Sequence, residues 1–238
     1  MDYALYIAGA LVFIPALLMM YYILKGYTYP AVEDPFFKDS TLFTLFAVGL
    51  IEGFVISAFY VKMDISNMLI GLLFAVIQVM LILVVLNLKR FHRKSDTVFY
   101  GFSLGMGQGV GMAFGVAASL LSVFKDLEDV DVFTWAIVIV FAAQELLLMC
   151  SVGATVGEGV ARLSLGEFTL QGMMVCALVM IFWTFAVMGS DSWYWMPLSV
   201  LTLAVSAYYF YKKIHLGLSS IVSEVLRIEG KKRKDVPR

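Results

Sequence analysis

Seven long apolar runs, nearly free of charged residues, limit the possible folds of this chain more strongly than any other feature. About 18 consecutive apolar residues suffice to cross a bilayer core, and 61% of this sequence is hydrophobic. Backbone in lipid must satisfy its own hydrogen bonds, and the runs lack the alternation of barrel strands. The sequence therefore predicts an all-α integral membrane protein with seven transmembrane helices, at residues 3–24, 41–61, 65–88, 97–124, 132–160, 168–188 and 193–211.

Basic residues indicate the orientation, because they concentrate in the connectors after the third, fifth and seventh runs. With seven spans these connectors all lie at one end, and the positive-inside rule then places the N-terminus outside and the C-terminus in the cytoplasm. Residues 1–211 are predicted to form one transmembrane domain, and residues 212–238 a basic cytoplasmic tail containing a short interfacial helix and a solvated end. We expect residence in the cell membrane, with anionic lipid and not nucleic acid as the partner of the tail.

The fourth run carries two interleaved series of glycines. Residues four apart lie on one face of a helix, and positions two apart lie on nearly opposite faces. Small residues let helix backbones approach closely, so the fourth helix is expected to be central. The glycines serve either packing within the protein or the docking of a partner helix. One series is Gly101, Gly105 and Gly109, the other is Gly107, Gly111 and Gly115, and the fifth run adds Gly153 and Gly157.

A few polar residues lie at membrane depth, where a carboxylate costs at least about 2.5 kcal/mol even on insertion scales. Each is therefore expected to face the interior of the bundle. Three interpretations are open: a hydrogen-bond network joining Glu52, Gln108 and Glu145 that fixes helix register, a proton or cation path, or a catalytic centre. The polar residues are Glu52, Gln78, Gln108, Gln144 and Glu145.

Other residues offer little for chemistry. Both histidines, His92 and His215, lie outside the runs, and no group of residues has the spacing of metal ligands. We predict no metal and no cofactor, and we expect the two cysteines to be reduced apolar fillers. Glu158 and Arg162 are four apart, which predicts an ion pair within one helix.

Three segments resemble a known superfamily, which groups the PrsW-type intramembrane proteases, the type II CAAX prenyl endopeptidases and the anterior-pharynx-defective scaffold subunit of gamma-secretase. Residues 101–110 are similar to the scaffold's glycine triplet in its fourth span, and residues 50–60 to its second-span pattern. Residues 96–105 approach the PrsW-type pattern D-x-x-x-Y-G-x-x-x-G. The resemblance implies a seven-span protein, N-terminus outside, whose fourth helix packs against partner helices.

The chain departs from the proteases of this superfamily at their catalytic motifs. Those enzymes begin with a Glu-Glu pair followed by a basic residue, whereas here Gly53 follows Glu52 and Val55 stands at the basic position. They also need histidines in later spans, and Glu145 lies roughly where the first would fall. The resemblance therefore implies a degenerate, non-catalytic member.

Three functions follow from these observations. The leading hypothesis is a non-enzymatic membrane scaffold or assembly protein that docks another membrane protein, or a second copy of itself, through the glycine ladder. The second is an intramembrane peptidase in which Glu52 and Glu145 share a proton and activate water. The third is a small channel or proton-coupled transporter lined by the same two residues.

Overall fold

The computed structural model describes residues 2–63, 67–124, 130–189, 193–231, 233 and 235–237, and these residues form helices and connectors without a strand. The predicted all-α fold is confirmed. Within these residues, six helices are long and apolar enough to cross a membrane. The helices are α1 (Asp2–Leu24), α2 (Asp39–Tyr60), α3 (Met68–Leu86), α4 (Asp96–Leu121), α5 (Val132–Arg162), α6 (Leu165–Met188), α7 (Trp195–Phe210) and α8 (Leu218–Glu229).

The helix ends follow local capping chemistry. Asn67 precedes α3, and its side-chain oxygen accepts the Leu69 N–H at 3.0 Å. Asp131 precedes α5 and accepts the Thr134 N–H at 3.2 Å. Such caps satisfy amide groups that have no partner within the helix. The predicted runs therefore begin and end within a few residues of the helices, although residues 65 and 66 of the third run lie outside the described part of the chain.

Helix α4 is the centre of the bundle. It packs along α2 on one side and along α5 on the other, and these are by far the most extensive helix pairs. The most apolar window is 72% buried in α4 and 67% buried in α5, against 28–39% in the other four long helices. The predicted central position of the fourth helix is confirmed.

The remaining helices surround α4 and α5 unequally. α6 and α7 pack on α5, α3 packs mainly on α6, and α1 packs on α4. α2, in contrast, has α4 as its only extensive neighbour within the described part of the chain. Helix α5 is thus enclosed on several sides, whereas α2 lies at the edge of the bundle.

Helix α7 runs parallel to α5. The rings of Phe133 and Trp195 lie 4.6 Å apart near the start of both helices, and the hydroxyls of Thr155 and Tyr209 lie 2.7 Å apart near their ends. The helix spans only 16 residues but continues directly into a π-helical segment, Tyr211–Leu216.

The C-terminal tail folds back onto the bundle. α8 buries its apolar residues against the core, and Ser95 donates to Glu229 through its hydroxyl at 2.9 Å. The Arg233 guanidinium lies 3.8 Å from the centre of the Phe36 ring and donates to the Asp34 carbonyl. Residue 233 was expected to be solvated. It is held instead, because Phe36 and Asp34 offer an aromatic face and an acceptor within reach.

Candidate functional site: the polar centre of the bundle

The first glycine series of α4 faces α5. A Cβ atom added to Gly105 would overlap the Met149 carbonyl oxygen, and one added to Gly101 would overlap the Gly153 carbonyl oxygen. The contact is reciprocal, since a Cβ on Gly153 would overlap the Gly101 carbonyl oxygen. Further along, a Cβ on Gly109 would lie 2.8 Å from the Glu145 carbonyl oxygen. Only glycine permits this backbone separation.

The second series faces α2 in the same manner. A Cβ on Gly107 or Gly111 would overlap the carbonyl oxygen of Phe46 or Leu50. On the other side of the contact, Gly49 and Gly53 of α2 meet the carbonyl oxygens of Leu104 and Gln108. Neither glycine was predicted to pack against α4, although their spacing of four in an apolar run was a usable signal.

Both glycine series are thus occupied by the protein's own helices. The last member of the second series, Gly115, lies against the Ser57 side chain, and Gly157 lies against the Thr97 backbone. Of the two alternatives, packing within the protein and docking of a partner helix, this geometry favours packing, because α2 and α5 already lie on the two faces that lack side chains. The glycines serve packing within the protein.

Four polar side chains and the Cys176 thiol are joined by hydrogen bonds at mid-bundle. The close approach of α2 to α4 brings Glu52 to Gln108, whose Nε2 donates to Glu52 Oε2 at 3.4 Å and to the Gln78 carbonyl at 3.2 Å. Gln78 Nε2 donates to Glu145 Oε2 at 3.4 Å, and the Cys176 thiol donates to Gln78 Oε1 at 3.6 Å. The polar centre therefore joins α2, α4, α3, α5 and α6.

The network differs from the predicted one in its linkage. Gln78 of α3 stands between Gln108 and Glu145, so the glutamates bind two different glutamines and share no hydrogen bond. Gln144 is fully buried but forms no hydrogen bond with its amide, so it does not join the network. Its position next to Glu145 in sequence turns it to another face of α5.

Burial separates the two carboxyl groups. Glu145, Gln78 and Gln108 are fully buried, whereas Glu52 is only half-buried. Beside Glu52 on α2, Ile51 is 63% and Val55 52% exposed. One glutamate is thus enclosed, and the other lies next to the outer surface at mid-span.

Several buried polar atoms have no hydrogen-bond partner among the described residues. At mid-bundle they include Glu145 Oε1, Gln108 Oε1 and both side-chain polar atoms of Gln144. An unpaired buried group costs about 1–3 kcal/mol, and natural proteins usually meet such atoms with ordered water. The polar centre therefore has spare acceptors that suit water molecules.

A charged cluster lies at the end of the bundle that carries the tail. Glu158 is 3% exposed and pairs with Arg162 at 2.6 Å and with Lys213 at 3.1 Å. The predicted Glu158–Arg162 pair is confirmed. Lys213 and Glu224, which binds Arg162 at 2.8 Å, were not anticipated because they are distant in sequence.

Glu229 of the tail has a lowered pKa. Burial raises the pKa of this carboxyl, but hydrogen bonds from Lys231 and from Ser95 lower the pKa by a larger amount, so the net shift is downward. The charged form of Glu229 is therefore the one that holds the tail to the start of α4.

Metal ligation finds no support in the described ranges, which contain no group of three or more His, Cys, Asp or Glu side chains suited to a metal ion. The two histidines lie outside the apolar runs, where His92 contacts Asn87 and His215 stacks on Tyr211. Cys150 and Cys176 are buried and unlinked. Three pockets formed by described residues are lined by neither Glu52 nor Glu145.

No protein-family model matches the chain, and neither a curated protein nor a solved structure is significantly similar to it.

Proposed function

We propose that this chain is a non-enzymatic membrane scaffold that docks one transmembrane helix of another membrane protein against α2. The observation that carries the proposal is the half-buried Glu52 at mid-span of an edge helix. The docking surface, here termed the α2 ridge, is a line of exposed residues four apart beside Glu52: Phe43, Ala47, Ile51, Val55 and Phe59.

The energetic argument concerns the part of Glu52 that Gln108 does not cover. Gln108 satisfies one carboxyl oxygen, at the long distance of 3.4 Å. A carboxyl next to lipid is costly at this depth, and intramembrane ionisable residues normally face protein or water. A partner helix on the α2 ridge with a donor at this level would enclose the carboxyl and supply its second hydrogen bond. The glycine series build the scaffold's core, and the α2 ridge replaces them as the proposed docking site.

Seven crossings with a cytoplasmic C-terminus are part of the proposal. α7 has 16 residues, a length of about 24 Å at 1.5 Å per residue, and the π-helical segment Tyr211–Leu216 continues it. This length supports α7, extended by its π-helical segment, as a seventh span. The basic connectors and the tail lie at one end of the bundle, where Arg162 pairs with Glu224 and Ser95 binds Glu229. By the positive-inside rule, that end faces the cytoplasm if the protein lies in the cell membrane.

Membership of the superfamily of PrsW-type proteases and the anterior-pharynx-defective scaffold is also a proposal, and a non-catalytic member fits best. A carboxyl pair that activates water must hold the same water or proton. Glu52 and Glu145 bind different glutamines instead. The separation favours the scaffold over the peptidase.

Site-specific photo-crosslinking tests the scaffold function. A photoreactive phenylalanine analogue replaces Ile51 on the α2 ridge, and the control replaces Leu178, which is exposed at a similar depth of α6. We expect a discrete protein adduct from Ile51 in native membranes, lost in Glu52→Leu but retained in Glu52→Gln, and no adduct from Leu178. An adduct of twice the monomer mass would show that the docked helix belongs to a second copy of this chain. Lipid adducts alone at both positions would refute the docking.

Proton transfer is the second candidate, and the unpaired atoms of the polar centre favour it. Water at Gln108 Oε1 and Glu145 Oε1 could connect the two glutamates. Proteoliposomes loaded with a pH-sensitive dye distinguish this function from the scaffold. Proton flux that disappears in Glu52→Gln supports transfer, and equal flux in empty liposomes excludes it.

A further inference from the structure

A pocket of about 420 Å³ opens between the end of α1 and the start of α2. These helices follow each other in the chain and both pack on α4, but among the described residues they are not one of the extensively packed helix pairs. Residues 25–38 connect the two helices and leave a gap at this end of the bundle. The pocket, here termed the α1–α2 groove, is that gap.

The groove changes from apolar to polar along its length. Its apolar wall carries Leu17, Met20 and Leu42, of which Leu17 is 47% exposed, and its polar rim carries Lys25, Thr28 and Asp39. From Leu17 to Lys25 the wall rises about 12 Å along α1, at 1.5 Å per residue. Since Leu24 ends the apolar helix, the rim lies at headgroup level and the wall lies within the hydrocarbon. This is the polarity profile of a lipid molecule.

The rim carries one cation and one anion. Lys25 Nζ lies 4.7 Å from the centre of the Tyr22 ring, and neither Lys25 nor Asp39 has an ion-pair partner among the described residues. A headgroup with a phosphate and a primary amine would find a donor in Lys25 and an acceptor in Asp39. A headgroup with a phosphate alone would place its negative charge beside the Asp39 carboxylate.

We propose that the α1–α2 groove binds one phospholipid with an amine-bearing zwitterionic headgroup, its acyl chain on Leu17 and Leu42 and its phosphate and amine on Lys25 and Asp39. The volume is within the usual range of small-molecule sites, about 300–1,000 Å³. The site does not depend on the scaffold function, because no part of the argument uses Glu52 or a partner helix.

Native mass spectrometry of the detergent-purified protein tests the site, with added phosphatidylethanolamine or phosphatidylglycerol of identical chains. Leu17→Trp fills the groove, and Leu18→Trp is the matched control, because Leu18 is 63% exposed and does not line the pocket. We expect one retained phosphatidylethanolamine, reduced about tenfold in Leu17→Trp and unchanged in Leu18→Trp. Equal retention in the two variants would mean that only bulk annular lipid binds, and would overturn the proposal.

The headgroup assignment has its own arm in the same experiment. Asp39→Asn should remove the preference for phosphatidylethanolamine over phosphatidylglycerol, a change of about tenfold, which is the size expected for one charge-assisted hydrogen bond. Glu33→Gln is the control, since Glu33 is exposed and does not line the groove. A preference that survives in Asp39→Asn, or that is absent from the unmodified protein, would overturn the assignment of the amine to Asp39.

Discussion

The two flanks of α4 use the same packing chemistry but end in different environments. Both α2 and α5 are held to α4 by glycines whose backbones touch, and both carry a glutamate at mid-span. On the α5 side, α6 and α7 add further cover, and Glu145 is fully buried. On the α2 side no other described helix adds comparable cover, and Glu52 remains half-buried. Similar sequence patterns thus produce an enclosed helix, α5, on one flank of α4 and an exposed helix, α2, on the other.

The comparison predicts different costs when the two seams are disturbed. Gly105→Ala and Gly107→Ala each place a Cβ on a carbonyl oxygen, of Met149 and Phe46 respectively. α5 is enclosed and cannot shift, whereas α2 can move outward. We expect Gly105→Ala to lower the free energy of unfolding by about 3 kcal/mol and Gly107→Ala by about 1–2 kcal/mol.

Thermal unfolding in detergent, followed by tryptophan fluorescence, measures this order. Gly166→Ala is the control, because a Cβ there meets no atom within 4 Å, and its stability should match or exceed that of the unmodified protein. Equal losses for Gly105→Ala and Gly107→Ala would show that the two seams are equally rigid.

Removal of the glutamates should also be asymmetric. Glu145→Leu leaves Gln78 Nε2 without its acceptor in a fully buried site, which costs about 1–3 kcal/mol. Glu52→Leu leaves Gln108 Nε2 bonded to the Gln78 carbonyl, so the loss should be below about 1 kcal/mol. Chemical or thermal unfolding of the two variants compares them directly, and a larger loss for Glu52→Leu would contradict the account of an open flank.

The charged end of the bundle offers the same contrast between an enclosed and an open residue. Lys213 pairs with the buried Glu158, whereas its neighbour Lys212 is exposed. Lys213→Met should destabilise the protein by about 1–3 kcal/mol, less than a fully broken buried pair because Arg162 still holds Glu158. Lys212→Met should change the unfolding temperature little. Equal unfolding temperatures of the two variants would show that the Lys213–Glu158 pair does not stabilise the protein.

The smallest effect concerns the tail and pH. Glu229 has a lowered pKa in the folded protein, so its stabilising contribution is complete above its unfolded pKa of about 4.3 and is lost as pH falls through the folded value. The protection of α8 amides, that is, hydrogen exchange corrected for the intrinsic rate at each pH, should therefore decrease as pH falls below about 4.3. In Glu229→Gln exchange should be faster at pH 6 and should lose this pH step. If the pH step keeps its size in that variant, a titratable group other than Glu229 causes it.

The sequence predicted the helices well and their partners poorly. Helix bounds follow from runs of apolar residues and local caps such as Asp131, and the Glu158–Arg162 pair follows from a spacing of four. These are properties of single segments. The glycine series likewise predicted that α4 would be central.

Relations between distant segments were missed or misassigned. Gln78 was expected to be buried, but nothing local indicated that it would separate Gln108 from Glu145. The docking of Arg233 on Phe36 and the pairing of Lys213 with Glu158 join segments far apart in the chain. Helical periodicity gives the face of a residue, and it does not give the helix that this face meets.

The most direct test of the central claim is cryo-electron microscopy of the protein extracted from its native membrane in a polymer nanodisc, with a bound antibody fragment for alignment. The account predicts a transmembrane helix against Ile51 and Val55, with a donor within hydrogen-bond distance of Glu52. An α2 ridge covered only by lipid, with a partner helix seated instead on α6 or α7, would contradict it.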